Sequence, residues 1–281
     1  MRKLTVSIVT HRSPAKRLRI ALDCVARCGE VYRVYVIDNS PDDSLRQAVE
    51  GMERVCYRHV ANNGFGAGHN IAIREALAAG ADFHLVMNDD VRWVEDVLPP
   101  LMDRMEKDSK IGMIMPKVFY PDGALQYTAR MLPTPLDVFA KRFLPEALVK
   151  RRVDRYLLAD ADHDREFESP YLLGSFLLFR GEALREANGF DERFFMYPED
   201  IDITRRVHER WRTLYWPGVS IIHDHAAASR KSWKMLKIHV VNMIRYFNKW
   251  GWFYDRKRRR ANKELLANMP RLKGPRPNAR G

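Results

Sequence analysis

Four short apolar runs in the first 88 residues, each rich in β-branched side chains and most of them followed by a turn and a helical pattern, leave few folds open to this chain. The runs are LTVSIVT (4–10), VYRVYVID (31–38), RVCYRHV (54–60) and FHLVMN (83–88). Helices are predicted from Pro14 to Arg27, with Ser13 as N-cap and Pro14 at the first helical position, from Ala67 to Ala79, and from Trp93 to Lys107. Strands alternating with helices imply an α/β domain with a largely parallel sheet, and such sheets hold ligands at the carboxyl ends of their strands. His11, Asp38, Asn62 and Asp89 fall there.

Beyond residue 110 the pattern changes. Ile111 to Tyr120 reads as a strand ending in a Pro121, Asp122, Gly123 turn, and Ala129 to Ser169, interrupted by Pro133, Pro135 and Pro145, as an irregular, partly helical insertion. Tyr171 to Phe179 reads as one buried strand, Gly181 to Ala187 and Glu199 to Arg210 as helices, and Thr213 to Trp216 and Val219 to His223 as strands. No internal repeat supports a solenoid.

Charge divides the chain in two. Residues 226–281 carry 16 Lys and Arg against 2 acids, while residues 1–225 carry 32 against 34, so the net +12 is a property of the C-terminus. A near-neutral main domain of 1–225 with a basic tail of 226–281 is expected, not a domain that reads a duplex with its main surface. Cys24, Cys28 and Cys56 are an odd number without CxxC spacing, so neither a disulfide framework nor a structural zinc site is expected, and a reducing compartment fits. The N-terminus lacks a signal-peptide pattern, and no apolar run reaches membrane-spanning length.

Several clusters carry possible chemistry. The Gly-rich turn from Asn62 to Asn70, NNGFGAGHN, suits close approach of a ligand to backbone, or serves simply as a tight strand-to-helix turn. Asn88, Asp89 and Asp90 close the fourth strand, where adjacent carboxylates repel unless a cation relieves them; the alternative is that one of them caps a helix at Trp93. Glu199, Asp200 and Asp202 open a helix after Pro198. Acids there complement the helix dipole, but three within four residues beside Phe194, Phe195 and Tyr197 exceed what capping requires. A carboxylate partly desolvated by aromatic walls becomes a better base. His223 and His225, at a strand end with HxH spacing, point the same way, and either could supply a nitrogen to a metal held by Asp90.

Taken in order, SIVTHRS, VIDNSPDD, NNGFGAGHN, MNDDV, PDGALQ, the long segment from GSFLLFRGEAL through MYPEDIDITRRVHERWR, and HDHAAAS resemble the inverting family 2 glycosyltransferases of GT-A fold, bacterial rhamnosyltransferase-like members in particular, over residues 4–230. The resemblance implies a Rossmann-like nucleotide-sugar-binding domain with a mixed central sheet. It implies that Thr10, His11, Arg12, Asp38 and Asn39 hold base and ribose, and that Asn62, Gly64, Phe65 and Asn70 line the donor pocket. Asp90 matches the last acid of the family's DxD motif, with Asn88 in place of the first and Asp89 between them. Asp90 would then bind Mg²⁺ or Mn²⁺ on the diphosphate, with His223 or His225 completing the shell. Asp200 matches the catalytic general base beside Glu199, Gly174 and Ser175 would lie near the reacting sugar, and Arg205 would steady the helix carrying Asp200.

The activity so implied is metal-dependent transfer of a sugar, rhamnose from dTDP-rhamnose as first choice, to a hydroxyl of a cell-surface glycan or lipid-linked precursor. Another donor such as UDP-galactofuranose or UDP-GlcNAc is the alternative within the fold. From another class, a nucleic-acid-binding protein would grip phosphates with Arg256 to Arg260. The ordered acidic motifs oppose this, and no nucleic-acid partner is expected. Trp233 to Tyr254 reads as an amphipathic helix, packed on the main domain or lying on an anionic membrane with Arg256 to Arg260 against lipid, which suits a cytoplasmic protein peripheral to the inner membrane face.

Overall fold

The computed structural model describes residues 2–138, 145–224, 233–274 and 276–280. In chain order the first half runs β1 (Leu4–Thr10), α1 (Ala15–Ala26), β2 (Val31–Asp38), α2 (Arg46–Val49), β3 (Val55–His59), α3 (Phe65–Ala78), β4 (Phe83–Asn88), β5 (Val91–Arg92) and α4 (Leu98–Lys107). β1 pairs in parallel with both β2 and β4, and β2 with β3, as the alternation dictates. Leu4, Val6, Ile8, Val36 and Leu85 form a buried apolar face, and the opposite face is buried too but carries Thr5, Ser7 and His84, bonded to one another.

The second half makes the sheet mixed. It adds β6 (Ile111–Phe119), β7 (Leu125–Gln126), β8 (Ala129–Arg130), α5 (Glu146–Tyr156), β9 (Phe167–Glu168), β10 (Tyr171–Leu172), β11 (Phe176–Arg180), α6 (Gly181–Glu186), α7 (Glu199–His208), β12 (Arg212–His223), α8 (Trp233–Trp250), α9 (Arg256–Asn268) and β13 (Ala279–Arg280). β11 inserts antiparallel between β4 and β6, and β12 runs parallel to β6 while its end pairs antiparallel with β5. The pairing of His223 with Val91 brings the end of β12 beside the residues that follow β4.

Four expectations need correction. Ser13 does not cap α1: Pro14 is the N-cap, and the Ser13 hydroxyl bonds to Asp89 instead. The helix expected from Trp93 begins at Leu98, because the Trp93 ring is buried edge-on against Phe176 at 6.0 Å. Neither Asp89 nor Asp90 is therefore a helix cap. The run Tyr171 to Phe179 is two strands, β10 and β11, interrupted at Leu173–Ser175. The cluster Arg256 to Arg260 is dispersed around α9: Arg258 is buried against the carbonyls of Pro133 and Trp252, Lys257 pairs with Glu209 at 2.9 Å and Arg260 with Glu264 at 2.8 Å.

The C-terminal helices dock on α7. Met243, Tyr246 and Phe247 bury their side chains with Leu132, Tyr171, Phe194 and Ile201, at about 1.5–3 kcal/mol for each large side chain. Trp233, Val241 and Ile244 of α8 stay exposed. Both readings of this amphipathic segment thus find a face.

Candidate active site

The loop from Thr10 to Arg12 forms one rim. Asp38 is fully buried beneath it, its carboxylate accepting from Thr10 Oγ1 at 3.1 Å, the Ser40 N–H at 2.9 Å and the Tyr57 hydroxyl at 2.6 Å. His11 is exposed above, its Nδ1 2.8 Å from the Asn39 carbonyl and 3.3 Å from the Asn62 amide nitrogen. Arg12 takes a left-handed backbone at φ 53°, its N–H donating to Ser40 Oγ at 2.8 Å. His11, Arg12 and Asn62 therefore present themselves to solvent, whereas Thr10 and Asp38 spend their polar atoms holding the rim.

Gly64 carries φ +105° at the head of α3, and a Cβ there would collide with the Phe195 carbonyl, so the Gly-rich turn is fixed by close packing on the 190–195 segment. Phe65 packs edge-on to His69, at 4.4 Å between ring centroids. Asn70 departs from expectation. Its amide donates to the Phe190 carbonyl and Glu192 at 2.9 Å each and accepts the Phe190 N–H at 2.8 Å, so it clamps α3 to that segment and has no donor left for a ligand.

At the end of β4 the two acids part. Asp89 turns to Arg17 at 3.5 Å, while Asp90 Oδ1 lies 3.3 Å from His223 Nε2, and the Asn88 amide is 3.4 Å from the same nitrogen. Burial lifts Asp89 above the ordinary carboxylate range, only partly opposed by Ser13 and Arg17. It pushes Asp90 the same way, but the His223 ring and the Arg17 charge outweigh it and hold Asp90 below that range. His223 Nδ1 is 2.8 Å from Gln126 Oε1, a pure acceptor, so Nδ1 carries the proton and Nε2 faces Asp90. His223 Nε2 and the Asp90 carboxylate, side by side with the Asn88 amide, are a nitrogen-and-oxygen donor set that fits a hard divalent ion. No group of three His, Cys, Asp or Glu side chains is gathered for a metal among the described residues, and His225 lies outside them.

The second acidic pair sits at the start of α7. Asp200 accepts the Gly174 N–H at 3.0 Å and the Tyr171 hydroxyl at 3.3 Å on Oδ2, and the Ile201 N–H at 2.7 Å on Oδ1. Burial nevertheless pushes it up to about 6, against the pull of those donors and of the Arg130 charge. Burial, then the Asp200 charge, lifts Glu199 well above the ordinary range, so the two neighbouring acids titrate as a coupled pair. Asp202 serves the packing of the helices: fully buried, it binds Lys249 at 2.6 Å and the Trp250 indole at 2.8 Å, tying α7 to α8.

The break in the 171–179 run joins the two pairs. Gly174 donates to Asp200, and the next carbonyl, Ser175, accepts the Asn88 N–H at 3.0 Å. A Cβ on Gly174 would sit 3.0 Å from that of Asp200, so this residue stays small. Among the described residues, Asn39 Oδ1, Gln126 Nε2, Ser175 Oγ and Glu199 Oε2 are buried without a hydrogen-bond partner. Orphaned polar atoms are costly, and Gln126, Ser175 and Glu199 set theirs beside the acidic pairs, where a polar ligand would satisfy them, while those of Trp93 and His163 lie elsewhere. Arg205 is not part of that lining. It is buried, bidentate to Asp255 at 2.6 and 2.7 Å and stacked 3.9 Å over Trp250, so it locks α7 to the C-terminal helices.

Sequence reasoning missed Gln126, Tyr171 and Arg130. Gln126 had a signal, the last letter of PDGALQ, whereas Tyr171 was hidden inside an apolar run.

The family model described as Glycosyl transferase family 2 matches residues 5–186, a span that contains the rim, the Gly-rich turn, Asp90 and the Gly174 break. The chain belongs to that family. Within family 2 it is 27% identical over 79% of its length to the N-acetylglucosaminyl-diphospho-decaprenol L-rhamnosyltransferase of Mycobacterium tuberculosis, covering 76% of that protein. It is also 27% identical over 77% of its length to the rhamnosyltransferase WbbL of Escherichia coli, covering 82% of it. The GT-A fold is shared with GalNAc-T7 solved with UDP, GalNAc and Mn²⁺, at TM-score 0.61 and 15% identity over 86% of this chain, which spans about half (47%) of that one. It is shared likewise with S. aureus TarS, at TM-score 0.58 and 16% identity over 94% of this chain and 70% of that one. The protein is a glycosyltransferase.

Proposed function

We propose that this family 2 enzyme transfers rhamnose from dTDP-rhamnose, with inversion, to a hydroxyl of a lipid-linked glycan precursor. The observation that carries this reading is Asp200: a buried carboxylate raised to about 6, still ionised near neutral pH and linked by Gly174 and Ser175 to the Asp90–His223 pair. The names of the two rhamnosyltransferase relatives support the donor, and the first of them the lipid-linked acceptor.

Asp200 takes the proton from the acceptor hydroxyl as that oxygen attacks the anomeric carbon from the side opposite the diphosphate. Tyr171 and the Gly174 N–H orient the carboxylate, and Glu199 beside it is raised well above the ordinary carboxylate range by burial and by the Asp200 charge. Asp90 and His223 would hold Mg²⁺ or Mn²⁺, which when bound offsets charge on the departing diphosphate. Gln126 fixes the tautomer of His223, and His11, Arg12 and Asn62 face the base and ribose across the rim.

No helix among the described residues is long and apolar enough to cross a membrane. The exposed Trp233, Val241 and Ile244 of α8 support contact with an anionic membrane at its cytoplasmic face instead. The nucleic-acid reading loses the contiguous cluster it rested on, since within Arg256 to Arg260 the Arg258 side chain is buried and Lys257 and Arg260 are paired with acids.

A melting-temperature panel of dTDP-, UDP- and GDP-sugars with Mn²⁺ tests the donor. The largest stabilisation is expected from dTDP-rhamnose. A larger one from a UDP- or GDP-sugar would replace the donor, and none from any of them would remove the transferase reading of the site.

A further inference from the structure

A separate groove lies away from both acidic pairs. About 860 Å³ in volume, it runs between the 131–137 segment, α5 and α9. Its walls carry six cations and a single acid, Asp137, which is paired with Arg152 at 2.7 Å. Arg258 is buried in backbone contacts. That leaves Arg151, Arg155, Arg259 and Lys263 exposed, with no acid partner among the described residues. Trp252 and the exposed Phe253 line the same groove, so concentrated positive charge adjoins apolar surface.

One inner wall of the groove is Tyr156. It faces the charge of Arg130, whose guanidinium lies 5.9 Å over the ring of Tyr171, the residue that donates to Asp200, so three side chains in series connect the groove to the acid at the start of α7.

We propose that this groove binds the diphosphate of a polyprenyl-diphosphate-linked acceptor, with Arg151, Arg155, Arg259 and Lys263 on the phosphates and Trp252 and Phe253 against the first part of the lipid. Charge complementarity selects this occupant: the unpaired cations converge within one concave site, which suits a compact dianion, and the aromatic side chains suit the lipid attached to it. This placement rests on the reading of the enzyme as one that uses a lipid-linked acceptor.

The test is flotation of the full chain with phosphatidylcholine vesicles carrying a polyprenyl diphosphate, against vesicles brought to equal surface charge with phosphatidylglycerol. The parent protein is expected to prefer the polyprenyl diphosphate about tenfold. Arg151→Gln with Arg155→Gln should lower that binding by about fivefold per charge removed, with the unfolding temperature unchanged. Inorganic pyrophosphate should displace the parent from the same vesicles, a readout that needs no variant. Equal affinity for the two kinds of vesicle would mean that the surface senses only membrane charge and would overturn the proposal, as would indifference to pyrophosphate or to the double substitution. The Mn²⁺-dependent melting shift with nucleotide sugar, read without vesicles, reports separately on the donor site, so failure of the groove and failure of the transferase reading are told apart.

Discussion

Two pairs of adjacent acids, the half-buried Asp89–Asp90 and the buried Glu199–Asp200, meet different fates in the same molecule. At the end of β4 the neighbours are cationic or able to become so: Arg17 stands beside Asp89 and the His223 ring beside Asp90, and Asp90 stays below the ordinary carboxylate range. At the start of α7 the contacts are mostly neutral donors, two backbone N–H groups and a phenol, with only the Arg130 charge acting on the pair, and both acids are raised. Burial alone does not decide what a carboxylate does. What surrounds each pair sets the direction in which its acids shift, and this difference is what the proposed division into a cation pair and a proton pair rests on.

The largest expected effect breaks the comparison at its proton-accepting end. Asp200→Asn should lower turnover by about 10³-fold, the worth of a positioned general base. Single-turnover transfer assays measure it, and turnover within a few-fold of the parent would return Asp200 to a structural role.

A smaller effect is expected at the cation end. Gln126→Leu removes the acceptor that keeps the His223 proton on Nδ1, and should weaken Mn²⁺ binding about 10–100-fold by titration calorimetry in the presence of nucleoside diphosphate. Unaltered affinity would mean that His223 needs no such orientation.

The smallest effect sharpens the contrast through pH. Because Asp200 works ionised, kcat/KM should rise with pH through about 6 and then level off. Tyr171→Phe removes a hydrogen bond to the charged form, so the rising limb should move to higher pH. Linkage has the opposite sign: the folded carboxyl binds its proton more tightly than the unfolded one, so the stability contributed by protonated Asp200 is full below the unfolded value of 3.8 and is lost as pH rises through the folded value of about 6. Thermal unfolding of the parent should lose stability across that window, and Asp200→Asn should flatten the loss.

Much of this was legible in the sequence, for reasons that differ between the halves. The strands at 4–10, 31–38 and 83–88 announce themselves because they are buried on both faces, and a run of β-branched residues has few other uses. The strand ends then point to His11, Asp38, Asn62 and Asp89, whereas Asp90 stands out only through its acidic neighbour and the family motif. The interruption at Leu173–Ser175 was not legible, since its cause is the carboxylate of Asp200, 26 residues away, drawing the Gly174 N–H out of the ladder. Trp93 looked like the start of a helix, but its ring is recruited by Phe176 across the sheet. The basic run Arg256 to Arg260 looked like one feature because sequence places its members side by side, whereas a helix sends them in different directions, Arg258 inward and Arg260 to Glu264. Arg205, Asn70 and Asp38 were recognisable as important polar residues, but that their partners are protein atoms is a fact of tertiary structure.

Titrating Mn²⁺ with nucleoside diphosphate into Asp90→Asn and Asp200→Asn side by side probes the division of labour between the two acidic pairs. Binding should collapse in the first variant and match the parent in the second, even though the second no longer transfers sugar. Equal weakening in both, or retained affinity in Asp90→Asn, would mean that the cation and the proton are not handled by separate pairs.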